Sequence, residues 1–400
     1  MLFSFESEEI HNRTLAALGH AGRSEVMCDA LASFFTAPPL PVELFGLRFP
    51  NPVGLAAGMD KLAAAAPVWP ALGFGFSELG GVTWHPQPGN DAPRMFRAVA
   101  DAALVNRMGF NNPGAEALAA KLAEWRALDR WPAHPVGINL GKSKVTPLDK
   151  AAEDYANSFR ALREHADFFV VNVSSPNTPN LRQLQDKAAL DEVLAAVQEV
   201  NAVDDGRKGT EREREKGGGG EREKGGAEFS PLRPFSPAPL LPHHAPRTTH
   251  HAKPVLVKVA PDLAFEALDE ILELTVTRNI AGIVATNTTI TRPETRDEGC
   301  LQTYAEQGGL SGRPLRTRST EVVRHLFRQT RGSLPIIGVG GVLNADDAWE
   351  KVTAGASLVQ VYTGLVYEGP GIARDIVIGL RERMQQVGVG DLRELVGVAA

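Results

Sequence analysis

A run of polar side chains at residues 171–180, Val-Asn-Val-Ser-Ser-Pro-Asn-Thr-Pro-Asn, is the segment of this chain best suited to chemistry. It overlaps the end of the apolar run 168–173, so a buried strand is predicted to open there into a polar turn broken by two prolines. Hydroxyl groups can take part in proton transfer, and each asparagine amide offers one acceptor and two donors. We therefore predict that this segment binds a small polar ring and moves a proton.

Polar residues follow the other apolar runs in the same way. In chain order the set is Lys61, Thr83, Asn139, Asn172 with Ser175, Lys258, Thr286 with Asn287, Gly340 with Gly341, and Tyr362 with Thr363. Lysines, amides, hydroxyls and glycines make up this set, which lacks the His or carboxylate cluster that holds a catalytic metal. The pattern predicts an organic cofactor and no metal site.

Four asparagines stand at predicted strand ends or in adjoining loops: Asn106, Asn172, Asn177 and Asn287. Any one of them could serve only to form a turn. Together their amides match the C=O and N–H edges of a cyclic imide, which favours a binding role. Lys61 is predicted to hold a carboxylate of the ligand, and an ion pair with the preceding Asp60 is the alternative.

The elements that must position these residues alternate between strand and helix. Apolar runs lie at 53–58, 74–83, 136–141, 167–175, 254–261, 282–288, 334–342 and 358–364, with helical patterns between them such as 148–165, 187–202, 264–278 and 314–330. Eight strands alternating with helices predict an α/β fold, a (β/α)₈ TIM barrel over residues 41–386. An open doubly wound sheet is the competing fold, but it explains less readily why nearly every strand ends in polar residues.

Two glycine clusters indicate a phosphate site in this barrel. They are Gly308-Gly309-Leu-Ser-Gly312-Arg and Gly338-Val-Gly340-Gly341. Glycine lets backbone amides approach an anion, and the loops after the last two strands are the usual phosphate site of the fold. Because tight turns also use glycine, either cluster alone is weak support. Both together favour a phosphorylated cofactor.

Residues 1–40 differ from the barrel and are predicted to form a small helical extension. Two short helices, 8–18 and 25–35, are expected on either side of a linker at 19–22, each with an apolar face. These apolar faces could pack on the barrel as a cap, or they could contact a membrane or a hydrophobic ligand. At the other end of the chain, residues 387–400 are predicted to be a C-terminal tail.

The segment 204–252 interrupts the barrel pattern. It contains runs of alternating Glu, Arg and Lys, four consecutive glycines, and a stretch rich in Pro and His. Such a composition buries too little apolar surface to offset the entropy of ordering, so a disordered surface insertion is predicted. The histidines at 243, 244, 250 and 251 are interpreted as part of this solvated loop, since nothing fixes the geometry of a metal site.

Composition excludes several classes of function. The formal net charge of −6 offers no electrostatic basis for nucleic-acid binding, and Cys28 and Cys300, the only two cysteines, lie far apart in the chain, without the spacing of a zinc site. The chain lacks an apolar run of roughly 18 residues, so no membrane-spanning helix is predicted. The acidic N-terminus resembles neither a signal peptide nor a transit peptide.

Seven motifs together resemble the dihydroorotate dehydrogenase family. They are AAGMDK (56–61), HPQPGN (85–90), NRMGFNN (106–112), NVSSPNTPN (172–180), ATNTT (285–289), GGLSGRPL (308–315) and GVGG (338–341). The resemblance is closest to the quinone-dependent class 2, which carries an N-terminal helical pair and a serine base, whereas soluble relatives use a cysteine. Gly80-Gly81-Val-Thr83 departs from the Gly-Thr-Val-Thr more usual in the family.

The resemblance implies an enzyme with FMN that oxidises dihydroorotate to orotate in de novo pyrimidine (UMP) biosynthesis and passes electrons to a membrane quinone. Ser175 is implied as the base that takes the C5 proton, helped by Thr178, while hydride leaves C6 for the flavin. The implied substrate residues are Lys61, Asn106, Arg107, Met108, Gly109, Phe110, Asn172, Asn177, Asn287 and Thr288. The implied cofactor residues are Ala57, Gly58, Lys61, Thr83, Asn139, Asn172, Lys258, Thr286, Gly312, Gly341, Tyr362 and Thr363.

The resemblance also implies a route for electrons to the membrane. His11 and Arg97 are similar to positions that line the quinone tunnel of class 2. Peripheral contact through the N-terminal helices is expected, at the cytoplasmic face of the bacterial inner membrane. Two other functions remain open: a soluble flavin barrel enzyme that uses fumarate or NAD as acceptor, and a non-catalytic flavin-binding scaffold.

Overall fold

The computed structural model of the chain describes residues 5–215 and 252–400. Its strands are β1 Val42–Leu44, β2 Leu47–Phe49, β3 Val53–Leu55, β4 Phe76–Val82, β5 Met95–Ala98, β6 Ala103–Asn106, β7 Val136–Leu140, β8 Phe168–Asn172, β9 Val255–Val259, β10 Gly282–Ala285, β11 Gly309–Gly312, β12 Ile336–Val339 and β13 Leu358–Val361. Its helices are α1 Ser7–Gly22, α2 Glu25–Phe35, α3 Ala115–Ala127, α4 Ala151–Leu162, α5 Lys187–Glu215, α6 Phe265–Thr277, α7 Glu298–Tyr304, α8 Arg316–Thr330, α9 Ala345–Thr353, α10 Thr363–Glu368 and α11 Ile372–Val387.

Eight parallel strands close into a barrel in the order β10-β12-β13-β3-β4-β7-β8-β9. They are the eight strands that the apolar runs predict, and helices on the outside cover them, so the (β/α)₈ prediction is confirmed. The strands are buried along nearly their whole length because they pack on helices outside and on one another's side chains inside. The register pairs Asn172 with Lys258, so polar residues of neighbouring strands end at one face of the barrel.

Two small antiparallel sheets add to the barrel and were not predicted. The hairpin β1–β2 precedes the first barrel strand, and β5, β6 and β11 form a sheet of three strands in the order β11-β6-β5. The first glycine cluster is therefore mainly the strand β11, and its last glycine, Gly312, lines the cavity described below. A Cβ on Gly309 would lie 1.9 Å from the Thr288 hydroxyl, so close packing explains that glycine.

The predicted linker between the N-terminal helices is wrong, because α1 continues through Gly22. A Cβ on Gly19 would lie 2.7 Å from the Ala64 carbonyl oxygen, and Gly22 lies against Pro67 and Val68. These glycines allow the helix to approach the barrel closely instead of ending it. The second helix has the predicted bounds, and the preceding Ser24 caps it: the Ser24 hydroxyl accepts a hydrogen bond from the Met27 N–H at 3.3 Å.

The predicted insertion is only partly described by the structure. Helix α5 runs to Glu215, past residue 203 where the sequence pattern predicts its end. Glu, Arg and Lys have a high intrinsic helix propensity, which favours the longer element. The rest of the insertion, including the histidine tract, lies outside the described residues.

Candidate active site

A cavity opens at the carboxyl ends of the barrel strands, where the fold places active sites. The empty space within its lining, the open mouth included, is about 960 Å³. Most of the predicted site residues line it: Ala57, Gly58, Lys61, Asn106, Met108, Gly109, Phe110, Asn139, Asn172, Ser175, Asn177, Lys258, Thr286, Asn287, Thr288, Gly312, Gly341, Tyr362 and Thr363.

Thr83 and Arg107 do not line this cavity. The Thr83 hydroxyl donates to the His85 carbonyl oxygen at 2.7 Å and accepts from the Asn112 side chain at 2.9 Å, so it stabilises the loop after β4. The Arg107 guanidinium pairs with Glu306 at 2.6 Å. Successive side chains of an extended segment point to opposite sides, which explains why Asn106 faces the cavity while Arg107 faces away.

Asparagines from separate elements form two hydrogen-bonded groups around the cavity. In one, the Asn177 amide donates to Asn106 Oδ1 at 3.2 Å. In the other, Asn287 donates to Asn172 Oδ1 at 3.2 Å, and Asn172 donates to Asn139 Oδ1 at 2.9 Å. Asn177 Oδ1 is buried without a hydrogen-bond partner. A ligand with an N–H group would satisfy it.

The polar loop after β8 presents two hydroxyls near the cavity. Ser175 is buried in the wall, and its Oγ accepts a hydrogen bond from the Asn177 N–H at 3.3 Å. Such a donor stabilises negative charge that develops on the serine oxygen. Thr178 does not line the cavity, but its Oγ is buried without a partner. A free hydroxyl beside the serine loop is available for a proton relay.

Lys61 is half-buried at the mouth of the cavity. Burial lowers the pKa of its ammonium group to about 8, and the neighbouring Glu8 carboxylate partly opposes this effect. The alternative of a pair with Asp60 is not favoured. The Asp60 carboxylate is fully buried and accepts from the N–H groups of Ala64 at 2.7 Å and Ala65 at 2.9 Å.

Helix α1 covers one side of this mouth. Glu8 on the helix pairs with Arg94 at 2.6 Å, with only 13% and 14% of the two side chains exposed. Arg97 donates to the Ser7 hydroxyl at 2.8 Å. Burial, together with the positive charge of Lys61, lowers the pKa of His11 to about 4, so this imidazole is neutral at neutral pH. His11 and Arg97 therefore lie where the helix meets the barrel, outside the cavity wall itself.

Glu78 and Gln360 also belong to the region of the site, but they were not among the residues predicted from the sequence. Glu78 is fully buried inside the barrel, and its carboxylate accepts from Asn139 Nδ2 at 2.6 Å and Gln360 Nε2 at 2.5 Å. Lys258 Nζ lies 3.9 Å from the same carboxylate. Both residues lie inside apolar runs and not at strand ends. The one sequence signal for them is that each is a polar residue within a predicted buried strand.

The comparisons with known proteins agree on one family. The family model described as dihydroorotate dehydrogenase matches residues 39–384. A protein of Nostoc punctiforme named dihydroorotate dehydrogenase (quinone) is 49% identical over 360 residues, which cover 89% of this chain and 83% of that protein. A protein of the same name from Gloeobacter violaceus is 46% identical over 401 aligned residues, covering 100% of this chain and 97% of that protein.

A solved structure agrees with these relatives. The crystal structure of DHODH from Eimeria tenella in complex with ferulenol has a TM-score of 0.79 and 32% sequence identity, covering 100% of this chain and 98% of that one. The family model covers most of the chain, and the identity to curated relatives is far above the level at which families are ambiguous. The chain belongs to the dihydroorotate dehydrogenase family.

Proposed function

We propose that this protein oxidises dihydroorotate to orotate in pyrimidine biosynthesis and passes the electrons to a quinone. The observation that carries the proposal is the convergence of Ser175, Lys61 and the asparagines Asn106, Asn172, Asn177 and Asn287 on one cavity. The relatives that are 44–49% identical are named for the quinone reaction. Neither a fumarate- or NAD-linked enzyme nor a scaffold without turnover is favoured.

The family is flavin-dependent, and FMN is the proposed flavin. The donor set of the cavity fits it: Lys258 can face a ring edge that becomes negative on reduction, and Gln360 Oε1 is buried without a partner. Gly340 and Gly341 line the cavity with φ of 116° and 73°, and because they carry no side chain their backbone amides are proposed to approach the phosphate. When bound, the flavin accepts hydride from the substrate and releases two electrons to the quinone.

The chain's own residues have distinct proposed tasks toward dihydroorotate. Lys61 binds the substrate carboxylate, whose negative charge would offset the cost of burying the ammonium group. The asparagine amides bind the C=O and N–H edges of the ring and orient it. Ser175 Oγ takes the C5 proton, assisted by the Asn177 N–H, and Thr178 offers a relay hydroxyl.

The N-terminal helices are proposed to carry the quinone side of the reaction. Helix α1 contacts the loops around Lys61 and Arg94, and α2 exposes Val26 and Phe34 at 78% and 70%. An exposed apolar helix face suits peripheral contact with a lipid surface, here proposed as the cytoplasmic face of the bacterial inner membrane. Within residues 5–215 and 252–400, no helix is long and apolar enough to cross a bilayer.

An anaerobic stopped-flow experiment tests the proposal. The purified protein should be yellow, and dihydroorotate should bleach the flavin absorbance in a single turnover. Menaquinone or ubiquinone should then restore the absorbance much faster than fumarate or NAD. Failure of dihydroorotate to bleach a flavin-loaded protein would refute the substrate, and faster reoxidation by fumarate or NAD would refute the quinone.

A further inference from the structure

A buried carboxylate, that of Glu78 on β4, lies inside the barrel next to residues that line the cavity. It is fully buried and does not itself line the cavity. Removing a charge from water is costly unless the group is paired and hydrogen-bonded, so a lone carboxylate at this depth needs strong partners. It has three, and each comes from a different strand: Asn139 on β7, Lys258 on β9 and Gln360 on β13.

The hydrogen bonds of Glu78 fix the direction of the amides around it. An ionised carboxylate only accepts hydrogen bonds, so Asn139 and Gln360 must both turn their nitrogens toward it. With its nitrogen on Glu78, Asn139 presents its oxygen to Asn172 Nδ2 at 2.9 Å. Asn172 in turn presents its oxygen to Asn287. One carboxylate thus sets the polarity of a chain of amides that extends into the substrate site.

The same constraint leaves Gln360 with a free acceptor in the cavity wall. Its nitrogen is held by Glu78, its side chain is almost fully buried, and its Oε1 has no hydrogen-bond partner. Gln360 lines the cavity, so this oxygen is available to a bound ligand. Buried acceptors are normally satisfied, which points to an N–H group of the ligand as the missing donor.

Glu78 also opposes the positive charge of Lys258, whose Nζ is 3.9 Å from the carboxylate. At this separation in a buried site, two opposite charges interact strongly and each reduces the field of the other. A ligand group in the cavity that becomes negative near Lys258 is therefore stabilised less by this lysine than it would be if Glu78 were neutral.

We propose that Glu78 is a positioning residue that lowers the reduction potential of the flavin, and that Gln360, held by Glu78, is a further flavin-binding residue. The proposal rests on the proposed function only in requiring that a flavin occupies this cavity. Glu78 acts through Asn139, Gln360 and Lys258 and does not touch the substrate.

A matched pair of variants separates charge from packing. Glu78→Gln keeps the shape and removes the charge, whereas Glu78→Asp keeps the charge and shortens the side chain. The flavin midpoint potential of each holoenzyme is measured by dye equilibration. E78Q should favour reduced flavin by at least about tenfold, which is about 30 mV for a two-electron couple, while E78D stays within roughly threefold of the parent. Equal shifts in the two variants, or no shift in E78Q, would overturn the proposal.

A third variant tests Gln360 and keeps the proposal testable if E78Q does not fold. Gln360→Met has a similar volume but removes the free acceptor and one donor to Glu78. Flavin affinity should fall at least about fivefold, and the potential should move toward oxidised flavin, opposite to E78Q. Unchanged affinity and potential would overturn it.

Asp154→Asn is the control for loss of a buried carboxylate. Asp154 on α4 accepts from the Ser143 N–H at 2.8 Å and does not line the cavity, so the potential should not change. A shift as large as that of E78Q would overturn the proposal. A parent protein that binds no flavin would instead refute the proposed function, so the two failures are distinguishable.

Discussion

The two sides of the cavity are built differently: the inner side, here called the floor, is made by the barrel strands, and the side covered by α1 is here called the roof. The floor consists of barrel strands whose buried polar groups are paired with one another, as in the set Glu78, Asn139 and Lys258. The roof on the side of α1 is a separate helix, attached near the mouth through the Glu8–Arg94 ion pair and the Arg97–Ser7 hydrogen bond. From this difference we expect ring binding and proton transfer to depend on the barrel, and access of the electron acceptor to depend on the helices.

The largest effect is expected at the barrel side, in Ser175→Ala. Loss of the base should slow flavin reduction by dihydroorotate about 10²- to 10⁴-fold near neutral pH while flavin stays bound. Single-turnover absorbance measures this rate. The exposed Ser333→Ala variant is the control and should reduce its flavin at the parent rate. Near-normal reduction in S175A would remove this serine from the role of base.

Deletion of residues 1–36 tests whether the roof helices serve the reaction with quinone separately from flavin reduction. Without α1 and α2, the rate of reoxidation by quinone should fall at least about tenfold, which is a rise of about 1.4 kcal/mol in the activation barrier, while flavin reduction changes less. The two half-reactions are measured on one preparation. Phe34→Asp on the exposed face of α2 is a milder companion that should weaken binding to lipid vesicles only. Equal losses in both half-reactions would mean that the helices serve the barrel as a structural cap.

The pH dependence of orotate binding tests Lys61, which lies between floor and roof. Its pKa is lowered to about 8, so the ammonium charge is present below this pH and is lost above it. Orotate affinity, followed by flavin absorbance, should be constant near pH 7 and then weaken up to about tenfold per pH unit above pH 8. Uracil lacks the carboxylate and should not show this dependence. The same profile for both ligands would exclude Lys61 as the carboxylate partner.

The smallest effect is expected from the ion pair of the roof. Glu8→Gln removes one partner of a pair that is mostly buried, so the free energy of unfolding should fall by about 1–2 kcal/mol. Glu9 on the same helix pairs with Arg13 but is 48% exposed, so Glu9→Gln should change stability by less than about 0.5 kcal/mol. Thermal unfolding of both variants measures the difference. Equal changes would show that the roof contact contributes no more than a surface pair.

Glycine has different roles at different places in this chain. The linker at 19–22 was predicted from glycine, but α1 continues through it and its glycines permit close packing. Gly309–Gly312 forms a strand, and Gly312 also lines the cavity. Local sequence cannot distinguish a glycine that turns the chain from one that makes room for a neighbour. The resemblance implies site roles for Thr83 and Arg107, which stay predictions. Their side chains contact partners outside the cavity, and this direction depends on where a strand bends or ends.

The eight barrel strands, their polar ends and the Ser175 loop could be predicted from local sequence, because apolar runs and the prolines and polar residues that end them are local properties. Motif resemblance added the family. Two contacts depend on how the whole chain folds: the hydrogen bond between Glu78 and Gln360, which are 282 residues apart, and the ion pair between Glu8 of α1 and Arg94. Closure of the barrel places β4 and β13 on either side of β3, and no periodicity within either strand encodes that contact.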